Sequence, residues 1–285
     1  MSDIQISKDD VLSNPKVIKT LKGNANDQKV SGIRPLPLGK TIIYGLLPAV
    51  SLYTIHYFLI PAYVEYSGLP YFKGYLVGYV LSMAFFFAAA LIAYRIEGNP
   101  WRLKVLKDRF RLAKLNRSDW LWIAGIILFV LITYFGLAFT GNWTRSVSFL
   151  APRAAWPAEF GPGGTNNWTP GEFMEVPMKG QWHLVLFYFI GWFFNIFGEE
   201  FWFRGYILPR QELAFGSIAW LVNGLMFTIN HLWQPWIFIA MLPSALLLAY
   251  VVQKRRNTWI SIIQHGLVNL SLVIILLAGA MGIFQ

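Results

Sequence analysis

The chain has 285 residues, 56% of them hydrophobic and only 13% charged, with 24 Lys and Arg against 14 Asp and Glu for a net charge of +10. A soluble domain carries roughly 25% charged residues, so this chain lacks the polar surface to face water, and a bilayer is its natural solvent. Cysteine is absent, which excludes disulfides, thiolate metal sites and a cysteine nucleophile. The basic residues are dispersed between apolar segments, which argues for orientation in a membrane and against nucleic acid as a partner.

Residues 1–40 read as a polar tail with seven Lys/Arg and no apolar core before Thr41, so no cleavable signal peptide is expected and the first apolar run serves as the insertion signal. A span needs about 20 mostly apolar residues. Segments of that kind occur at about 42–64, 75–95, 120–140, 183–206, 217–234, 236–253 and 258–283. The expected fold is therefore an all-α, polytopic transmembrane helix bundle of about seven spans. The fifth and sixth are short and are separated only by Gln234-Pro235. With the N-terminus in the cytoplasm, 20 of the 24 basic residues fall on the inner side. That asymmetry predicts an N-in, C-out integral membrane protein.

Two connections have a character of their own. Asn99-Pro100 has the form of a helix start, an Asn cap followed by Pro at the first helical position. Leu103, Leu106, Phe110 and Ala113 then recur at helical spacing among Arg102, Lys104, Lys107, Arg109, Arg111 and Lys114. The expectation is a basic amphipathic helix over 100–117, lying on the anionic cytoplasmic leaflet. The loop 141–182 is rich in Pro and Gly and is expected outside, dividing three N-terminal spans (41–140) from a four-helix core at 183–285. Gly74 and Gly78 form a lone GxxxG pair, read as local packing. Asn116, Asn142, Asn167 and Asn269 all begin N-x-S/T triplets. Two of the four fall where no glycan can be added, so the pattern carries no argument.

The acidic residues are the informative ones. Of fourteen, only Glu199 and Glu200 sit inside an apolar run, flanked by Phe193–Gly198 and Phe201–Phe203. A charged side chain at mid-bilayer costs about 2.5–3.5 kcal/mol on insertion scales, so two in succession require a partner or a polar cavity. Arg204 stands four residues after Glu200, on its helix face. Neighbouring helix positions point about 100° apart, which leaves Glu199 on a different face, with Asn195 and Phe203. Among the four His, His56 and His183 read as packing or interfacial residues. His231 ends the run Phe227–His231, and His265 and Asn269 are four apart on one face. Polar groups on three apolar segments converge because lipid cannot satisfy them.

Amide hydrolysis needs an activated water, donors for the tetrahedral oxyanion and a proton for the leaving nitrogen. Glu199 with His231 supplies the first, and His265 with Asn269 supplies oxyanion donors. No GxSxG and no Asp near these His signal a serine triad. Glu199-Glu200-Phe201-Trp202-Phe203-Arg204 resembles the EExxxR motif of the CAAX-protease and bacteriocin-processing (CPBP) family, which includes the type II CAAX prenyl endopeptidases. Phe227 to His231 resembles its FxxxH, and His265 to Asn269 its HxxxN, in the family's order. The resemblance covers about residues 183–285. It implies a glutamate-type intramembrane endopeptidase with Glu199 and His231 as the water-activating pair, His265 and Asn269 as oxyanion donors, and Glu200 and Arg204 completing the first motif. It implies no cofactor and a membrane-associated peptide or protein as substrate. One tension remains in the span boundaries. They put Glu199 near the inner end of the fourth segment and His231 near the outer end of the fifth, so convergence needs a tilt or a break.

Three other readings stand beside this one. Glu and two His can hold a catalytic zinc, although no HExxH is present. A non-catalytic membrane partner or immunity protein of the same fold would use the polar cluster for binding. A proton-coupled transporter would use it as a relay. The orientation is directly testable because no native Cys competes. A Cys introduced at Thr165 is expected to react with an impermeant thiol reagent in intact cells, and one at Lys29 is not. The opposite pattern reverses the assignment.

Overall fold

A computed structural model of the chain describes residues 32–148, 150–152, 156–157, 161 and 171–283. Most of the expected N-terminal tail, the Pro/Gly-rich middle of the 141–182 loop and the Asn167 triplet lie outside the described residues.

The chain is an all-α polytopic bundle. Helix α1 (Leu38–Thr54) passes through a π-helical turn at Ile55–Leu59 into α2 (Ile60–Ser67), and α3 (Tyr71–Ile96) returns. A short α4 (Leu103–Arg109), then α5 (Arg117–Gly136) and α6 (Thr140–Arg145), lead to a two-residue hairpin, β1 (Glu172–Phe173) with β2 (Val176–Pro177). Helix α7 (Trp182–Glu200) continues through a π-helical segment (Phe201–Ile207) into α8 (Leu208–Phe215), then α9 (Ala219–Asn230), α10 (Phe238–Arg255) and α11 (Trp259–Ala280). Among the described residues, six helical runs are long and apolar enough to cross a membrane: 38–67, 71–96, 117–136, 182–230, 235–255 and 259–280. Large apolar side chains on their outer faces are exposed, Leu81, Phe85, Leu121 and Phe135 among them, as helices surrounded by lipid require.

Helix α7 lies at the centre, packed against α3 on one side and α11 on the other, while α9 packs between α10 and α1. The α3–α7 approach is close because Gly198 has no side chain. A Cβ there would lie 2.9 Å from the Met83 carbonyl oxygen and 3.0 Å from the Phe87 nitrogen, both backbone atoms.

Three sequence expectations change. The predicted fourth segment does not end at 206 but continues to Phe215, and it joins the fifth in a helical stretch, 182–230, of two arms. At 1.5 Å per residue its 49 residues would extend about 73 Å, and Gly216 reverses it with φ +59°. The turn comes 17 residues after Glu199 and 14 before Asn230, or about 26 and 21 Å of rise. The carboxylates and the end of α9 therefore stand nearly level, which removes the tension between Glu199 and His231. The break after α9 at residues 231–237 lies where Gln234-Pro235 suggested.

The helix expected over 100–117 runs only from Leu103 to Arg109, and Asn99 does not cap it. Asn99 is buried and donates to the Tyr94 carbonyl. Arg109, expected on a lipid-facing surface, turns inward to Glu97 at 2.6 and 2.8 Å, and Arg111 pairs with Glu212 through two 2.6 Å contacts. Asn116 caps α5 in a capping box with Asp119, and Arg255 of α10 donates to Asp119 at 2.8 Å. Gly74 and Gly78 do serve local packing: a Cβ on either would meet Val64 or Ile60 within 2.5 Å.

Both π-helical segments precede a proline, Pro61 or Pro209. Proline lacks the N–H that would return to the carbonyl four residues earlier, and its ring crowds that carbonyl. For Pro209 the carbonyl is that of Gly205, and Arg109 Nη1 donates to it at 2.9 Å. Arg109 Nη2 reaches the Tyr206 carbonyl at 3.3 Å.

Gly198→Val is expected to push α7 off α3, since the atoms it meets are backbone and cannot swing aside. A loss of about 1–3 kcal/mol, read as a lowered Tm of the purified protein, is the expected outcome; an unchanged Tm would remove the close approach from the account.

Candidate active site

Helix α7 ends at Glu200, so Glu199 and Glu200 occupy its last turn just before the π-helical segment that carries Arg204. All three are at most 2% exposed. Glu200 receives Arg204 Nη1 at 3.4 Å and His265 Nδ1 at 2.9 Å on the same oxygen, Oε1. The guanidinium of Arg204 lies 3.7 Å from the centroid of the Phe227 ring, a desolvated cation–π contact. Phe227, the first residue of the FxxxH run, thus forms the floor under the ion pair.

Glu199 has a different set of neighbours. Asn230 Nδ2 donates to its Oε1 at 3.4 Å, and His265 Nε2 stands 3.9 Å from its Oε2. His265 therefore spans both carboxylates, bonded to one and beside the other. Because Nδ1–H is donated to Glu200, Nε2 is the ring atom turned toward Glu199. His231 is oriented by the same device, with Nδ1–H given to the Phe227 carbonyl at 3.0 Å. Its ring packs edge-on to Phe227 and over Trp233.

Four elements thus bring Glu199, Glu200, Arg204, His231 and His265 around one aromatic ring. No direct bond joins Glu199 to His231 among the described residues. Asn269, one turn beyond His265, meets α7 one turn before Glu199, where its Nδ2 donates to Asn195 Oδ1 at 3.3 Å. Asn195 in turn donates to the Met83 sulfur at 3.3 Å. His56 is buried against Trp233 at 4.2 Å, and His183 is exposed, both outside the cluster.

Several buried polar atoms here have no hydrogen-bond partner: Oε2 of both glutamates, Arg204 Nε and Nη2, and Asn230 Oδ1. Buried polar groups are ordinarily satisfied, so this concentration leaves hydrogen-bonding capacity that water can take up. Among the described residues no group of three His, Asp or Glu side chains has the arrangement to hold a metal ion.

Two residues of the site, Asn195 and Asn230, have no place in the sequence motifs. Each is an amide in an otherwise apolar segment, four residues before Glu199 or next to His231. That is the signal by which they are recognisable.

Residues 181–271 match the model of the family described as Rce1-like, type II CAAX prenyl endopeptidase. The resemblance carried by the three motifs holds over that region. The matched stretch contains every residue of the cluster and supports a CAAX-type protease embedded in a membrane. Comparison with curated proteins and with solved structures gives no match.

Removing the Glu200 charge should leave Arg204 buried beside an aromatic ring with no anion bonded to it. Breaking one side of a buried pair costs about 3–5 kcal/mol. Glu200→Gln is therefore expected to lower Tm and yield sharply, and Arg204→Gln in the same chain should restore part of the loss. If the double variant is no more stable than Glu200→Gln alone, the pair is not what holds this turn together.

Proposed function

We propose that this protein is an intramembrane endopeptidase that hydrolyses a peptide bond of a membrane-associated or lipid-anchored polypeptide, with Glu199 as the base that activates water. The observation that carries the reading is the unequal treatment of two adjacent buried carboxylates. Glu200 is engaged at Oε1 by a cation and an imidazole, whereas Glu199 is held at Oε1 only by an amide; Oε2 is unbonded in both, and that of Glu199 stands 3.9 Å from His265 Nε2. A water accepted at Oε2 gives its proton to Glu199 as its oxygen bonds to the amide carbon. The same proton then passes to the departing nitrogen as the C–N bond breaks, which restores the carboxylate.

His231 borders this space with Nδ1 committed to a backbone carbonyl, which leaves Nε2 to orient the water. His265 and Asn269 are the proposed partners of the oxyanion. Asn269 spends one of its two amide protons on Asn195 and retains the other. Glu200 and Arg204 position His265. The family match to residues 181–271 supports the protease class; the glutamate mechanism and the substrate class are part of the proposal. The proposed mechanism is written without a metal.

The test is cleavage of membrane polypeptides by the purified full-length protein in lipid, read by mass spectrometry. Glu199→Gln preserves shape and hydrogen bonding while removing the base, so cleavage should fall by at least about 10²–10⁴ at an unchanged Tm. Activity of the unsubstituted protein should survive strong chelation. Near-normal turnover in Glu199→Gln sinks the assignment. Zinc lost together with activity moves the chemistry to a metal-bound water. A full absence of cleavage products in cells, whichever variant is present, favours the non-catalytic reading.

A further inference from the structure

The three N-terminal spans lie outside the matched region, and one feature there has no part in the proposed chemistry. Helices α2 and α3 meet through Gly74 and Gly78. Farther along, α1 and α3 are separated by a groove of about 800 Å³, within the roughly 300–1,000 Å³ of small-molecule sites. Its walls are almost wholly apolar, and Leu47, Leu81 and Phe85 on its rim are two-thirds exposed or more. The groove therefore opens sideways, toward the hydrocarbon of the bilayer.

One end is built differently. There the groove is floored by Trp202 and Tyr206 of the second π-helical segment, stacked with Tyr44 of α1 at centroid distances of 5.5–6.5 Å. The Arg210 guanidinium, outside the groove's own lining, packs on these rings, 4.9 Å from that of Tyr206 and 5.8 Å from that of Tyr44. It is 8% exposed and has no carboxylate partner among the described residues. Its protein contacts are the Arg34 carbonyl at 3.1 Å and the Tyr206 hydroxyl, which use two of its five N–H donors. The exposed Arg34 and Lys40 side chains belong to the same end of α1. A mostly buried guanidinium without an anion, packed on two of the rings that close a lipid-facing apolar groove, has the charge for one kind of occupant.

We propose that the groove binds one anionic glycerophospholipid, with an acyl chain along α1 and α3 and its phosphate on Arg210. Basic pockets between transmembrane helices bind anionic headgroups in this manner, and the planar guanidinium suits a phosphate. The bound chain would pack on Trp202 and Tyr206, in the segment that directly follows Glu199 and Glu200. The site does not depend on the peptidase reading.

Native mass spectrometry of the full-length protein tests it, with dioleoylphosphatidylglycerol and dioleoylphosphatidylcholine as the two probes. One phosphatidylglycerol should be retained at least about tenfold more tightly than phosphatidylcholine. Arg210→Gln should abolish that preference. Ala89→Trp, which fills the groove and leaves the charge in place, should weaken both lipids. Equal retention of the two probes by the unsubstituted protein overturns the proposal and leaves only a general lipid coat; this comparison holds even if Arg210→Gln does not fold. Retention that Ala89→Trp leaves unchanged overturns it as well. Displacement of phosphatidylglycerol by a farnesylated peptide would assign the groove to the lipid anchor of a substrate instead.

Discussion

Two carboxylates in succession on a helix with phenylalanines on either side have to be satisfied by protein, because lipid offers neither hydrogen bonds nor counter-charge. Glu199 and Glu200 point in different directions, so no single side chain hydrogen-bonds both. The structure answers with residues from three separate elements: Arg204 one turn on, Asn230 at the end of α9, and His265 in the middle of α11, lying across the pair. Each of these would itself be costly in hydrocarbon. Their mutual satisfaction is what draws α7, α9 and α11 together at one level of the bundle. Satisfaction is also incomplete: Oε2 of both glutamates, two Arg204 nitrogens and Asn230 Oδ1 are left without a partner. The proposed water chemistry uses that remainder.

The helix that carries the glutamates is held at this point by means that have little to do with them. Gly198 lets α3 approach to backbone contact immediately before Glu199. Just after Glu200, Pro209 prevents regular α-helical bonding, and the chain adopts a π-helical segment whose freed carbonyl is taken by Arg109. Local irregularities of this kind often mark functional sites in helices. Arg109 in turn needs Glu97 as its counter-charge in a buried setting. The connection between α3 and α5, which reads as a surface feature, is therefore part of the support for the active helix.

How much of this was legible in the sequence depended on the kind of information. Composition and apolar runs give an all-α membrane protein outright, since backbone groups in lipid leave few alternatives to helices. The cluster residues were readable one by one because ionisable and amide side chains are conspicuous in apolar segments. The Glu200–Arg204 pair followed from helical spacing alone. Asn195 and Asn230 were visible by the same rule but belonged to no motif. Their importance rests on which carboxylate or amide they meet across the bundle, and a one-dimensional reading contains no such distances.

What the sequence determined by itself is the set of local facts: which segments are apolar, which residues share a helix face, and which polar groups must find a partner. Only the tertiary structure decided who the partners are. It carried the fourth segment on to Phe215, reversed it at Gly216, and so brought Asn230 and His231 level with the glutamates. It placed His265 against Glu200 first and Glu199 second, and directed Asn269 to Asn195. It turned Arg109 inward where its amphipathic spacing pointed to lipid. The reason is common to all of these. Hydrophobic periodicity specifies a face but not what it meets, and a buried charge chooses its partner by proximity in three dimensions, where residues far apart in the chain compete with those one turn away.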